Sequence, residues 1–344
     1  MNTPIDKTES IRILYYGAGW PTNIGNAFID LGAMAILREA APDAQISFAS
    51  EMPRWFCNYR FQRFKPKGPG RFLPWNFFKA NHGLPKMDCA LDIASVTQCD
   101  LVVFAGMAMC EEFSRINGKP ILELTNRRIP VLLLGTGALT YTDKERELYA
   151  DFLRRVKPIG FVSRDDQSYE MFSEVVPESL KGIDCAFFVP EAYQPFPLEI
   201  PPYIVVTFDS MPEPSFSPKG RKLVRAHHAC WKPSLIDYQY NDHTLISDIP
   251  QDYLALYANA EEVHSDRVHA CIAALAYGRK AKLYHPTPRG SLFTTVGANG
   301  IRDALIQINR QLLKEKKELQ VKFVKDLISA RVRRLQHSVM KDPE

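Results

Sequence analysis

Short apolar runs alternate with longer amphipathic segments along most of the chain. Residues 11–16 (IRILYY) are β-branched and aromatic, which is the pattern of a buried strand. From Ala27 onward apolar residues recur at helical spacing, and residues 45–49 (QISFA) return to strand character. A strand, a helix and a second strand in this order predict a parallel sheet with helices on its faces.

The alternation resumes near residue 100. Further strands are predicted at 100–105, 129–134, 160–163, 203–207, 223–228, 244–247, 262–265 and 280–284, and helices at 144–156, 167–174 and 269–277. An apolar stripe predicts a long amphipathic helix over 301–335, formed by Leu305, Ile308, Leu312, Leu319, Phe323 and Leu327. Most strands stop at a glycine or a polar residue, and ligands of open parallel sheets bind at such carboxyl ends.

The chain divides at a proline-rich segment. Its 344 residues exceed what one core usually serves, so two domains are expected. We predict a Rossmann-like domain over 1–190, a linker over 191–202 (EAYQPFPLEIPP), a second Rossmann-like domain over 203–300, and a C-terminal helix and tail over 301–344.

Residues 53–85 interrupt the first domain. They include seven Lys or Arg residues, nine aromatic residues and no Asp or Glu. Their proline and glycine content predicts an inserted loop or hairpin. Three roles stay open: packing by the aromatic residues, an entrance for an acceptor, or contact with an anionic membrane surface. We favour the acceptor entrance over the membrane contact, because the insertion follows the second strand.

Composition and charge narrow the class of protein. Hydrophobic residues make up 46% and charged residues 24%, as in soluble globular proteins. The net charge is +4, and residues 301–344 hold eleven basic and six acidic residues, which is poor support for nucleic-acid binding. Seven cysteines without a C-x-x-C pair predict neither a disulfide framework nor a zinc site. With no signal-peptide pattern and no long apolar run, we expect a cytoplasmic protein.

Residues 263–270 (VHSDRVHA) carry the densest candidate chemistry. A predicted strand ends at Ser265, and Arg267 and His269 stand at the start of the next helix. A helix N-terminus attracts anions, Arg presents a planar fork to carboxylate or phosphate, and His exchanges a proton near neutral pH. The segment is therefore either an anion site with an adjacent acid, or a surface Arg beside a capping His.

This segment and three others resemble the motifs of the polysaccharide pyruvyl transferase family, in the same order. Ser265-x-Arg267-x-His269-Ala270 is similar to the family's C-terminal signature. The other three stretches are 23–26 (NIGN), similar to the family's N-x-G-[DN] loop, 164–168 (RDDQS), similar to R-D-x-x-S, and 184–187 (DCAF), similar to D-x-A-F. The resemblance extends over roughly residues 11–284.

The resemblance implies an α/β fold of two Rossmann-like domains facing across a cleft, a glycosyltransferase-B-like architecture, here with a long C-terminal helix. It implies transfer of the pyruvyl group of phosphoenolpyruvate to sugar hydroxyls as a ketal, during the biosynthesis of an exopolysaccharide, another polysaccharide or a glycolipid. Phosphoenolpyruvate would be a co-substrate, with no cofactor or metal demanded. The partners would be this donor and a glycan acceptor, free or lipid-linked, with contact to the inner face of the membrane left open. No oligomeric state follows.

The same resemblance assigns candidate residues. His269 is implied as the general acid, and Arg267 and Arg164 as cations for the donor. Implied substrate-binding residues are Asn23, Gly25, Asn26, Gly106, Ser265 and Asp165. Asp165 also fits a helix cap or a partner that holds an Arg in place. Two other functions stay open: a nucleotide-sugar glycosyltransferase on the same scaffold, or a non-catalytic protein that binds a glycan or a partner.

Overall fold

The computed structural model describes residues 10–17, 23–50, 96–109, 111–218, 220–228 and 243–339. The predicted basic and aromatic insertion at 53–85 lies outside these residues. Elements are numbered in chain order within the described part of the chain.

The N-terminal half contains a six-stranded parallel sheet with strand order β2-β1-β3-β4-β5-β6. Parallel strands are covered by helices on both faces, which explains their continuous apolar runs. The strands are β1 (Arg12–Gly17), β2 (Gln45–Ser50), β3 (Leu101–Met109), β4 (Val131–Ala138), β5 (Gly160–Ser163) and β6 (Ser179–Leu180). The helices are α1 (Gly25–Ala40), α2 (Glu111–Asn126), α3 (Asp143–Val156), α4 (Asp166–Phe172) and α5 (Val189–Ala192).

The C-terminal half contains a five-stranded parallel sheet with strand order β11-β10-β7-β8-β9. Its strands are β7 (Tyr203–Thr207), β8 (Lys222–Ala226), β9 (Thr244–Leu245), β10 (Glu262–Ser265) and β11 (Lys280–Leu283). Its helices are α6 (Pro250–Asn259), α7 (Val268–Ala276), α8 (Ser291–Thr294) and α9 (Arg310–Val339). Two parallel α/β sheets confirm the predicted pair of Rossmann-like domains. The exact domain boundaries and the linker at 191–202 stay predictions.

The long helix α9 begins later than predicted. It starts at Arg310 and not at Ile301, because Asn309 caps it: the Asn309 Oδ1 atom accepts the N–H groups of Gln311 at 2.9 Å and Leu312 at 3.2 Å. The tight turns of residues 301–304 precede this cap. The existence of the helix could be predicted from its apolar stripe, but its start depends on the capping amide.

The buried stripe of α9 is also shifted by one residue from the predicted one. Leu319 is 49% exposed, whereas the neighbouring Gln320 is buried and its Oε1 accepts the Ile183 N–H at 2.8 Å. Up to Arg331, the fully packed apolar positions of the helix are Leu313, Val321, Val324 and Ile328. Because α9 packs back on the N-terminal half, the groups it meets there decide which side is buried. A single hydrophobic core runs through α1, α7 and α9.

The third strand is longer than predicted. β3 continues past Gly106 to Met109, so Gly106 lies inside a strand and not in a loop after it. Gly106 adopts a φ of +74° at an irregularity in the pairing with β4, a conformation that favours glycine. A Cβ atom at this position would contact Ile29 of α1. Its predicted role in substrate binding therefore gains no support from its placement.

Within the described part of the chain, no helix is long and apolar enough to cross a membrane.

Candidate active site

Two helices from opposite halves of the molecule begin beside each other. α1 begins at Gly25, and α7 begins at Val268, directly after Arg267. Gly25 permits the contact, since a Cβ atom placed on it would lie 3.0 Å from His269 Cβ and 3.2 Å from His269 Nδ1. Both helices thus direct the positive ends of their dipoles toward one place between the sheets, where an anion would be stabilised.

Arg267 connects the two halves. Its Nη2 donates to Asn23 Oδ1 at 3.1 Å, and its Nε lies 3.4 Å from Asp209 Oδ2. Asn23 also accepts the Gly25 N–H at 3.2 Å and donates through Nδ2 to Asn26 Oδ1 at 3.3 Å. The structure therefore connects the NIGN segment to Arg267 through Asn23. About 20% of the Arg267 side chain is exposed, so a ligand can reach its guanidinium.

Ser265 and Asp266 hold Arg267 and its neighbours in position. The Ser265 hydroxyl donates to the Thr207 carbonyl at 2.9 Å and accepts the Arg267 N–H at 2.8 Å. The Asp266 carboxylate accepts the backbone N–H groups of residues 209–211. Ser265 is buried and both bonds stay within the protein, so this arrangement makes it a positioning residue.

His269 is buried and faces a carboxylate from the N-terminal half. Its Nε2 lies 3.9 Å from Asp184 Oδ2, and neither atom has a hydrogen-bond partner. Asp184 Oδ1 accepts the Ala186 N–H at 2.9 Å, which caps the turn that follows. Burial lowers the pKa of His269; Asp184 opposes this change, whereas the Arg289 and Arg164 charges add to it.

Arg164 is completely buried beneath the site. Its Nη2 donates to the Ala138 carbonyl, and its Nε lies 3.6 Å from Asp165 Oδ2. Gly137 makes room for it, because a Cβ atom there would lie 2.6 Å from Arg164 Nε. In this conformation the Arg164 charge lowers the pKa of the neighbouring His269 and Arg289. Direct contact between Arg164 and a donor stays a prediction.

Asp165 caps α4 and binds a strained tyrosine. Its Oδ1 accepts the Ser168 N–H at 2.7 Å, and its Oδ2 accepts the Tyr141 hydroxyl at 2.9 Å. Tyr141 has a φ of 55°, held in place because the Glu145 carboxylate accepts its N–H at 2.8 Å. The Tyr141 hydroxyl also lies 3.5 Å from Ser291 Oγ of the C-terminal half. Asp165 is thus the helix cap that the sequence suggested, and Tyr141 is a site residue that the sequence did not identify.

A third arginine, Arg289, belongs to the same site, and the sequence analysis did not identify it either. Burial and the nearby Arg164 charge, with a further contribution from Arg267, lower the pKa of Arg289 to about 10. Its Nε donates to Thr287 Oγ1 at 3.4 Å, and this hydrogen bond orients the guanidinium group. Arg289 follows β11 in the short 3-10 helix Pro288–Gly290. Its only sequence signal was an Arg placed after the carboxyl end of a predicted strand.

The site therefore combines two helix N-termini, three guanidinium groups and one buried imidazole. Such an arrangement can bind a small molecule with two anionic groups and deliver a proton to it. Among the described residues, no group of three His, Cys, Asp or Glu side chains is placed to hold a metal ion.

Two facing Rossmann-like domains, each with a parallel sheet, define a protein of the glycosyltransferase-B-like architecture. More specifically, the chain belongs to the polysaccharide pyruvyl transferase family, whose sequence pattern matches residues 23–281. No curated protein sequence matches the chain.

Solved structures share its fold at low sequence identity. MnaA of S. aureus, solved with UDP, superposes with a TM-score of 0.53 at 10% identity, over 97% of this chain and 99% of that one. A UDP-N-acetylglucosamine 2-epimerase gives 0.53 at 10% identity, over 98% of each chain. The UDP-GlcNAc 2-epimerase of Methanocaldococcus jannaschii, in complex with UDP-GlcNAc and UDP, gives 0.50 at 12% identity, over 94% and 100%. These similarities show the fold alone.

Proposed function

We propose that the protein transfers the pyruvyl group of phosphoenolpyruvate to two hydroxyls of a sugar, forming a pyruvate ketal and releasing phosphate. The observation that carries this proposal is the convergence of Arg267, Arg289 and the buried Arg164 around His269. Phosphoenolpyruvate has a phosphate and a carboxylate, so it needs more than one cation. Membership of the pyruvyl transferase family supports the same class of reaction.

The proposed reaction requires one acid and two nucleophiles. His269 gives its proton to the vinyl methylene carbon, and the electron pair of the double bond forms the new C–H bond. The adjacent carbon becomes electron-poor, one sugar hydroxyl adds to it, and phosphate leaves with the electrons of its C–O bond. A second hydroxyl then adds to the same carbon. Of the two protons lost by the hydroxyls, one restores His269 and the other goes to phosphate.

The donor itself helps to charge the acid. Because burial lowers the pKa of His269, its imidazole is mainly neutral at neutral pH before a donor binds. A phosphate and a carboxylate bound beside it favour the charged imidazolium. Arg267 and Arg289 would hold these anionic groups, and the fixed charge of Arg164 would stabilise them from behind. The acceptor would be a glycan, free or lipid-linked.

The test is incubation with phosphoenolpyruvate and a panel of acceptor glycans. We expect release of phosphate together with a sugar whose mass has increased by one pyruvate ketal, and neither product with His269→Ala. Thermal shift with the separate donors tests the alternatives. Stabilisation by UDP or GDP and not by phosphoenolpyruvate would favour a nucleotide-sugar glycosyltransferase. The absence of binding to all three would favour a non-catalytic binding protein.

A further inference from the structure

Asp184 and His269 form an incomplete ion pair across the two halves of the molecule. Asp184 follows the N-terminal sheet, and His269 lies on α7, which follows β10 of the C-terminal sheet. Asp184 Oδ2 and His269 Nε2 are both buried, both without a hydrogen-bond partner, and 3.9 Å apart. A buried polar atom left without a partner costs free energy, so two such atoms facing each other need a physical explanation.

The distance of 3.9 Å between Asp184 Oδ2 and His269 Nε2 is too long for a hydrogen bond. A charge-assisted N–H···O bond measures about 2.7–2.9 Å, so an approach of about 1 Å would complete it. Gly25 leaves room for this approach, because a Cβ atom at this position would lie only 3.0 Å from His269 Cβ and 3.2 Å from His269 Nδ1. A small movement of one half toward the other therefore changes the Asp184–His269 distance.

Asp184 is suited to positioning His269 and not to contacting the substrate. Its side chain is completely buried, and its Oδ1 is occupied by the Ala186 N–H. Although burial favours the protonated carboxyl, His269 and Arg164 outweigh it and hold the pKa of Asp184 below its ordinary value. A carboxylate in this place can orient the imidazole and stabilise its charged form.

We propose that Asp184 is the positioning residue for His269, and that donor binding draws the two halves together and closes the 3.9 Å gap into an ion pair. This inference rests on the proposed function, because it gives His269 the role of the acid. The closed pair would keep the imidazolium charged until its proton moves to the vinyl carbon. The acid would thus be charged only when the donor occupies the cleft.

The other charged groups near His269 act against protonation. Arg289 and Arg164 lower the pKa of His269, and Asp165 is held behind Arg164 by its own hydrogen bonds. The neighbouring His228, whose own pKa is lowered to about 3, is neutral near pH 7. Asp184 is therefore the carboxylate that faces the ring among the groups that the structure describes. Its removal should leave the imidazole with cations as its main charged neighbours.

The test is NMR titration of histidine-labelled protein, wild type against Asp184→Asn. Asn keeps the oxygen that caps the turn at Ala186, so the variant removes the charge and leaves the local fold. His269→Gln identifies the resonance. We expect the pKa of His269 to be about one unit lower in Asp184→Asn, and to rise with phosphoenolpyruvate far more in the wild type. His264, which contacts Glu262 and Tyr284, is the internal control and should titrate equally in both proteins.

A second variant tests closure without changing any charge. Gly25→Ala places a methyl group against the His269 ring and should reduce the rise in pKa that phosphoenolpyruvate produces. Equal His269 titrations in wild type and Asp184→Asn, with or without donor, would refute the role of Asp184. If phosphoenolpyruvate shifts no resonance in any of the proteins, the proposed function and donor-driven closure both fail. The difference between the two donor-free proteins still tests the pairing itself.

Discussion

Arg164 and Arg267 carry the same side chain on opposite walls of one site, but their surroundings differ. Arg164, on the N-terminal wall, is completely buried between the Ala138 carbonyl and Asp165. Arg267, on the C-terminal wall, keeps about 20% of its side chain exposed and is held by Asn23 and Asp209. One arginine supplies a fixed charge, and the other can touch a ligand.

The difference extends to the neighbouring residues. Asp165 and Asp184, on the N-terminal wall, are also buried and engaged with backbone groups. The C-terminal wall adds Arg289, on the short 3-10 helix Pro288–Gly290. The buried groups of the N-terminal wall are fixed before a ligand binds, so their electrostatic field is already in place. Direct contacts with the ligand are then left to the groups at the surface of the cleft.

The largest effect is expected from His269, where the two walls meet. His269→Ala should lower kcat by ~10²–10⁴-fold, the usual contribution of general acid–base catalysis, while affinity for phosphoenolpyruvate largely survives. Steady-state kinetics and a binding titration measure the two quantities separately. His264→Ala, on β10, is the matched control and should retain turnover. Turnover equal to wild type in His269→Ala would remove this residue from the mechanism.

Replacement of the buried Arg164 should mainly lower the stability of the protein. Arg164→Met leaves Asp165 without its buried ion partner and the Ala138 carbonyl without its donor, so the free energy of unfolding should fall by about 3–5 kcal/mol. Urea unfolding gives this value. Arg154→Met breaks an exposed ion pair with Asp151 and should change stability little. If both variants were equally stable, the Arg164 charge would not be structurally fixed as described.

Features that depend on local sequence patterns could be predicted from the sequence. Apolar periodicity located the strands and helices of both sheets, and the motifs located Asn23, Gly25, Arg267 and His269, which the structure brings together. These residues occupy the ends of regular elements, where the local pattern determines their position.

Other features depend on contacts between distant segments. Arg289 follows β11 without any pattern, and its proximity to Arg164 arises only when the halves pack together. The burial of Arg164 depends on the small residue Gly137, and the phase of α9 on the contact between Gln320 and Ile183. Such pairings between distant residues leave no local signal in a single sequence.

Arg267, whose side chain is partly exposed, should contribute to the binding of phosphoenolpyruvate. Arg267→Ala should weaken phosphoenolpyruvate binding by roughly 1.5–3 kcal/mol, somewhat over tenfold, because a charge-assisted contact is lost. Arg267→Lys should also weaken it, since the planar fork is absent. Calorimetric titration measures both. The control is Arg221→Lys, whose side chain pairs with Glu261 and Glu262 at the amino ends of the strands, opposite the site. Unchanged affinity in both Arg267 variants would contradict its assignment to the donor.

A buried histidine behind Arg267 tests whether the C-terminal wall is purely a binding surface. Burial, and then the Arg267 charge, lower the pKa of His228 from 6.5 to about 3, and its Nε2 lies 2.6 Å from the Tyr257 hydroxyl oxygen. Asp209 opposes the shift, whereas His269 and His227 add to it. The C-terminal wall thus also has a fixed inner layer, in which a neutral imidazole lies beneath a charged guanidinium.

The pH dependence of stability follows from this lowered pKa. The unfolded chain binds a proton at His228 near pH 6.5 and the folded protein only near pH 3, so the contribution is complete above pH 6.5 and is lost as the pH falls toward 3. The loss should reach about 1.4 kcal/mol per pH unit, or roughly 2 kcal/mol between pH 7 and 5. Urea unfolding at pH 7, 6 and 5 measures it, and His228→Gln should flatten the profile by this amount. Asp209, whose pKa is lowered by His227 and Arg267 despite its burial, should contribute only at more acidic pH. Parallel profiles for wild type and His228→Gln would show that this inner layer is open to water, and that the C-terminal wall lacks the fixed layer of the N-terminal one.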